Sequence, residues 1–111
     1  MSKVHISAPE AETFLLLASD EVATFRRRHG RCPVRWSEVD ITYANGPYRM
    51  TDADIRPRPE DGRHWRPRDT NYEYVLDESA GANVCRILAV DRAGKVELYI
   101  DAGTDQPVRP K

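Results

Sequence analysis

The chain has 111 residues, of which 40% are apolar and 32% charged, so it can form one modest hydrophobic core and is too apolar for a disordered protein. Its net charge of −1 gives no overall attraction to nucleic acid or to membrane surfaces. The longest apolar run covers residues 14–18, well short of the roughly 20 residues of a membrane helix, and residues 1–7 lack the apolar stretch of a signal peptide. We therefore expect a cytoplasmic protein that makes no contact with a membrane.

The N-terminal part of the sequence predicts one amphipathic helix over about residues 8–29. Ser7 and Glu10 form a capping pattern at its start, and Gly30 followed by Pro33 ends it. Apolar side chains recur at helical spacing and define one buried stripe. The residues of this stripe are Ala11, Phe14, Leu15, Ala18, Val22 and Phe25.

The middle of the sequence is less regular. An Asn-Gly pair within residues 41–50 separates two short apolar and aromatic pieces and predicts an additional hairpin there. Residues 51–70 are rich in proline and arginine and predict an irregular surface loop.

The last third predicts a three-stranded antiparallel meander with strands at about residues 72–77, 84–90 and 95–100. The helix and the sheet each have one apolar face, so we expect them to pack together in a single α+β domain over residues 1–111. The expected contacts join two groups of apolar side chains. They are Phe14, Val22 and Phe25 on the helix, and Val84, Leu88 and Leu98 on the sheet.

The helix ends in the sequence His29-Gly30-Arg31-Cys32-Pro33, a loop follows, and Tyr72-Glu73-Tyr74 begins the meander. This order resembles the head domains of type IV pilins and type II secretion pseudopilins, and the turn Asp91-Arg92-Ala93-Gly94 is similar to the Asp-x-x-Gly turn of that family. The resemblance implies a structural subunit of a fibre or secretion system, in the periplasm or the cell envelope. The apolar N-terminal helix half with which that family assembles does not occur in this sequence.

Candidate catalytic and metal-binding groups are sparse. Cys32 and Cys85 form no C-x-x-C pair, so we expect two reduced, partly buried thiols, with a long-range disulfide as the alternative. The three histidines (His5, His29 and His64) lie in separate segments without metal-ligand spacing. Paired carboxylates lie in predicted loops, where acidic residues form turns. These pairs are Asp52/Asp54, Glu60/Asp61 and Asp77/Glu78. We expect no catalytic residue, no cofactor and no metal, and an enzyme based on Cys32 or on a carboxylate pair is an alternative.

Arginines form two clusters, one after the helix and one around Trp65. Arginine and aromatic residues are enriched in protein interface hot spots and in nucleic-acid grooves, and the acidic residues near both clusters favour a protein partner. The predicted partner-binding residues are Arg28, Arg31, Arg35, Arg63, Trp65, Arg66 and Arg68. The alternatives are a solvated surface held by ion pairs and, for Trp65, an anchor that fixes the loop to the core; we expect Trp36 to seal one end of the core.

From these features we expect a non-catalytic protein-interaction module, such as a small bacterial immunity-type protein or adaptor, that binds another protein through its arginine- and tryptophan-rich loops. The alternative function is a pilin-like structural subunit. The sequence does not predict the identity of the partner or the oligomeric state.

Overall fold

The computed structural model of the protein describes residues 7–39, 62–66, 71–78, 81 and 83–110, with side chains from Glu10 onward. One helix is followed by a four-stranded antiparallel sheet, which confirms the α+β class. The elements are helix α1 (Ser7–His29), a 3-10 turn (Trp36–Glu38) and strands β1 (His64–Trp65), β2 (Glu73–Asp77), β3 (Arg86–Val90) and β4 (Val96–Asp101).

The strands follow one another in the order β1-β2-β3-β4, each antiparallel to its neighbours. Strands β2 to β4 form the predicted meander within two residues at each end. Strand β1 was not predicted. Its residues His64 and Trp65 lie in the segment predicted to be irregular, and they pair with Val75 and Tyr74 of β2. Two residues are too few to show a periodic pattern among prolines and charges. The hairpin predicted at 41–50 and most of the 51–70 segment lie outside the described residues.

The core lies between α1 and one face of the sheet, where the helix packs on β3 and β4. Every residue of the predicted helical stripe is buried, and so is Leu98. The expected burial of Val84 and Leu88 is wrong, because both are only partly buried. Instead Cys85, Ile87 and Ala89 face the helix. Residues 87–90 are all apolar, so the sequence carries no alternation that would indicate which face is buried.

An aromatic cluster fills the core at the β1 end of the sheet. The Phe14 ring stacks on Tyr74 with 3.9 Å between ring centroids, and it contacts Trp65 at 5.0 Å and Trp36 at 6.0 Å. Trp36 is fully buried, as expected for a residue that seals the core. Its indole Nε1–H donates to the carbonyl oxygens of Arg63 (2.8 Å) and Tyr74 (3.1 Å), so its polar atom is satisfied inside the core.

A disulfide bond joins Cys32, just after α1, to Cys85, just before β3. The expected pair of reduced thiols is therefore wrong. The two cysteines are 53 residues apart in the sequence, and only the packing of the helix end against the start of β3 brings their Cα atoms to 5.5 Å. Sequence spacing does not carry this information.

The C-terminal segment is tied to the middle of the helix. Buried Ser19 donates its hydroxyl hydrogen to the carbonyl oxygen of Thr104 (3.0 Å) and accepts the backbone N–H of Gly103 (2.9 Å). Further along, Tyr99 and Val108 exchange two backbone hydrogen bonds. Within the part of the chain that the structure describes, no helix is long and apolar enough to cross a membrane.

Candidate interaction surface

At the end of α1 the chain turns sharply back toward the sheet. Gly30 adopts a φ of 73°, which glycine reaches without steric cost, and its N–H donates to the carbonyl oxygen of Arg26 at 2.8 Å. The disulfide of Cys32 then fixes the chain two residues later. Residues 31–39 therefore form a loop held against the end of the core.

Glu38 organises this loop from within. One carboxylate oxygen accepts the backbone N–H groups of Val34 (2.8 Å) and Arg35 (3.3 Å), and the other accepts the Arg31 guanidinium at 2.8 Å. The hydrogen bond from Arg31 is the largest reason why the pKa of Glu38 falls to about 2, and the two backbone N–H groups lower this pKa further. The guanidinium of Arg31 also lies 5.0 Å from the centre of the Phe25 ring. Arg31 is therefore held in one place although its side chain is half exposed.

The loop and the β1 segment lie side by side. The backbone N–H of Trp36 donates to the carbonyl oxygen of Gly62 at 2.6 Å. Gly62 has a φ of 78°, and a Cβ atom at that position would lie 3.3 Å from Cγ of Arg35. These contacts bring Arg35 and Arg63, which the sequence separates by 27 intervening residues, to the same end of the molecule.

The structure divides the predicted arginines into two groups. Arg31 and Arg63 are bound within the protein, since Arg63 donates to the carbonyl oxygen of Leu76 (2.8 Å) and to the carboxylate of Glu78 (2.7 Å). Arg28, Arg35 and Arg66 are exposed. Among the described residues these three form no ion pair.

We call this end of the molecule the basic surface and define it as residues 26–39 and 62–66. It carries seven arginines and one carboxylate, Glu38. Because the whole chain has a net charge of −1, the remaining residues carry a net charge of −7. The charge is therefore strongly uneven, which the overall composition does not reveal.

Two of the predicted partner-binding residues, Trp65 and Arg68, belong to neither group of arginines. The structure corrects the prediction that Trp65 is exposed to a partner, because its side chain is only 3% exposed and packs on Phe14 and Trp36. It is the anchor of its segment, and it cannot contact a partner while the core is intact. Arg68 lies outside the described residues.

Sequence reasoning missed Glu38 and Val34. Glu38 occupies the third position after Arg35, where the glutamate of a capping box stands, but arginine is not a capping residue and the pattern is hidden. Val34 is 46% exposed and directly precedes the exposed Arg35. A lone apolar residue between prolines and arginines gives no signal of its own.

The candidate chemical groups have other roles here. Cys32 is bonded to Cys85 and has no thiol to act as a nucleophile. Of the carboxylate pairs, only Asp77/Glu78 lies in the described part, and Glu78 binds Arg63. Across residues 7–39 and the described segments from 62 to 110, no group of three or more histidine, cysteine, aspartate or glutamate side chains is placed to hold a metal ion.

Comparison with known proteins identified no relative of this chain. A scan against protein-family models, a search of curated proteins and a search of solved structures each found no match to this chain.

Proposed function

We propose that the protein is a non-catalytic interaction module whose basic surface binds an acidic region of a partner protein. The observation that carries this proposal is the group of three exposed arginines, Arg28, Arg35 and Arg66, which form no ion pair within the described residues. Exposed arginines that are already paired would contribute little to binding. Unpaired ones can donate to carboxylates of a partner in the bidentate geometry that arginine favours.

The scaffold beneath these arginines supports a binding role. The loop that carries Arg35 is fixed by the disulfide, by the carboxylate of Glu38 and by the buried ring of Trp36. A surface that is rigid before binding loses less conformational entropy when the partner arrives. The backbone of this loop is therefore suited to a specific contact.

Charge distribution favours a protein over nucleic acid. The net charge of −7 outside the basic surface would repel a long polyanion, whereas a protein partner can meet the basic surface alone. A small immunity-type protein or an adaptor, in bacteria, is the narrower class that we propose. Binding that is lost steeply between low and physiological salt with DNA or RNA as the ligand would favour nucleic acid instead.

The disulfide favours an oxidising compartment over the cytoplasm, since protein disulfides are rare where glutathione and thioredoxin keep thiols reduced. Alkylation of free thiols in intact cells before lysis tests this. The protein should carry no alkyl group on Cys32 or Cys85. Complete alkylation of both would contradict the proposal for the compartment.

The test of the function is capture from the native host, followed by affinity measurements with the purified partner. Arg28→Glu/Arg35→Glu should weaken binding at least tenfold, which corresponds to about 1.4 kcal/mol. The matched control is Arg92→Glu/Lys95→Glu, which changes the net charge equally in the β3–β4 turn. Equal affinity of the two variants would refute the proposed surface.

A pilin-like structural subunit is the second candidate, and its support is the order of one helix followed by an antiparallel sheet that packs on it. A pilin-like subunit would assemble with copies of itself. Electron microscopy and sedimentation of the purified chain separate the two: filaments would favour the subunit, and capture of a different protein by the basic surface would favour the interaction module.

A further inference from the structure

A cleft opens directly over the disulfide, at the border of the basic surface. Its volume is about 200 Å³. The apolar part of its lining combines the fully buried Val22 with Leu76 and the disulfide itself. Pro33, Val34 and Val84 form its apolar sides, and charged side chains stand at its rim.

The cleft is apolar inside, and its lining carries two arginines, Arg63 and Arg86, and two carboxylates, Asp77 and Glu78, so the lining has no net charge. Arg63 is paired with Glu78 at 2.7 Å, and Arg86 is paired with Asp101 at 2.7 Å. These rim arginines are therefore already neutralised. Arg35, which directly follows the cleft residue Val34, is exposed and forms no ion pair with any residue that the structure describes.

We propose that this cleft receives one apolar side chain, of the size of phenylalanine or leucine, that projects from the acidic region of the partner protein. The inference rests on the proposed function and adds the chemistry of the contact. An engineered protein cavity of about 150 Å³ binds benzene, so a cleft of about 200 Å³ has room for a phenyl ring or a branched aliphatic group.

The positive charge that follows the cleft residue Val34 in the sequence favours an acidic partner. Arg35 directly follows the cleft residue Val34 and is exposed, so its guanidinium is available to carboxylates that flank the apolar side chain in the partner. A buried apolar anchor inside a polar, solvent-accessible rim is the usual arrangement of a protein interface.

The disulfide holds the cleft open and in shape. It links the side that carries Pro33 and Val34 to the side that carries Val84, so the two sides cannot separate or collapse freely. Val34 is 46% exposed, which leaves an apolar edge in water until an occupant covers it.

The experiment is a titration of the whole protein with three capped tripeptides, followed through the valine methyl signals by NMR. The probes are Asp-Phe-Asp, Asp-Ala-Asp and Lys-Phe-Lys, each acetylated and amidated. Asp-Phe-Asp should shift the methyl signals of Val22, Val34 and Val84 to saturation and leave those of Val90 and Val96 in place. The affinities for the other two peptides should be at least tenfold lower.

A blocking variant provides the control. Val84→Phe places a ring in the cleft and should abolish the response to Asp-Phe-Asp, while Val90→Phe, the same change at a partly buried valine of β3 outside the cleft, should retain it. If the Val84→Phe protein does not fold, the peptide titration of the unaltered protein still tests the inference.

Absence of a saturable shift with Asp-Phe-Asp, or equal affinity for Asp-Ala-Asp or Lys-Phe-Lys, would overturn the inference. These failures are distinct from a failure of the proposed function. If the peptides fail but Arg28→Glu/Arg35→Glu still loses the partner, only the cleft is wrong. If Asp-Phe-Asp binds but the charge-reversed protein keeps its partner, the cleft does bind an apolar side chain, and the proposed basic surface and the acidic region assigned to the partner are wrong.

Discussion

Reduction of the bond between Cys32 and Cys85 should lower the free energy of unfolding by about 4 kcal/mol. The bond joins residues 53 positions apart, and the chain-entropy model assigns a closed loop of that length a stabilisation of about 4 kcal/mol at 25 °C. Reduction leaves both sulfur atoms in the protein. The comparison therefore isolates the cross-link from the packing of Cys85, which is 5% exposed.

The assay is urea unfolding with and without reductant, followed by tryptophan fluorescence. Trp36 and Trp65 are both buried, so their emission reports the loss of the core. With an m-value of about 1–3 kcal/mol per molar urea, the loss of about 4 kcal/mol lowers the unfolding midpoint by roughly 1–4 M. Cys32→Ala/Cys85→Ala is the control, and reductant should not move its midpoint.

Two results would refute this reasoning. The first is an unaltered midpoint after reduction, with loss of the bond confirmed by alkylation. It would mean that the cross-link does not restrict the unfolded chain to the extent expected from its length. The second is alkylation of both cysteines in the denatured but unreduced protein, which would show that no bond had formed.

Three further changes test the core and the loop. Phe14→Ala should lower the free energy of unfolding by about 3–5 kcal/mol in urea titrations, because the ring contacts three other aromatic side chains; a loss below about 1 kcal/mol would contradict the observed packing. Trp36→Phe keeps a ring in the core but removes the Nε1–H shared by two carbonyl oxygens, and thermal and urea unfolding should show a loss of about 1–3 kcal/mol; wild-type stability would mean that these hydrogen bonds contribute nothing. Glu38→Gln tests pH dependence: the folded-state pKa of about 2 lies below the ordinary glutamate pKa of 4.5, so ionised Glu38 stabilises the fold above about pH 4.5 and this contribution is lost as the pH falls toward 2. The stability difference between wild type and Glu38→Gln should shrink over that range, whereas a constant difference would argue against the role of Glu38.

Regular elements could be predicted from this sequence because their signals are local. The apolar stripe of α1 and the glycine after His29 define the helix over nearly its whole length. The strand positions follow from apolar runs between turn residues. The face of β3 could not be predicted, because Ile87 and Leu88 are equally apolar and only packing against the helix distinguishes them.

The candidate site was only partly predictable for a related reason. Arginines are recognisable in the sequence, but whether each is paired depends on which carboxylate the fold brings close. Arg31 and Arg63 find Glu38 and Glu78, whereas Arg28 finds none among the described residues. The disulfide and the burial of Trp65 also arise from contacts between distant segments, which no local pattern records.

The packing of α1 on β3 and β4 has a consequence for synthesis of the chain. The helix leaves the ribosome before the strands against which its apolar stripe packs. The apolar stripe of the nascent helix therefore stays open to solvent or to chaperones until β3 and β4 have been translated. Pulse-labelled nascent chains should acquire protease resistance only after β4 has emerged.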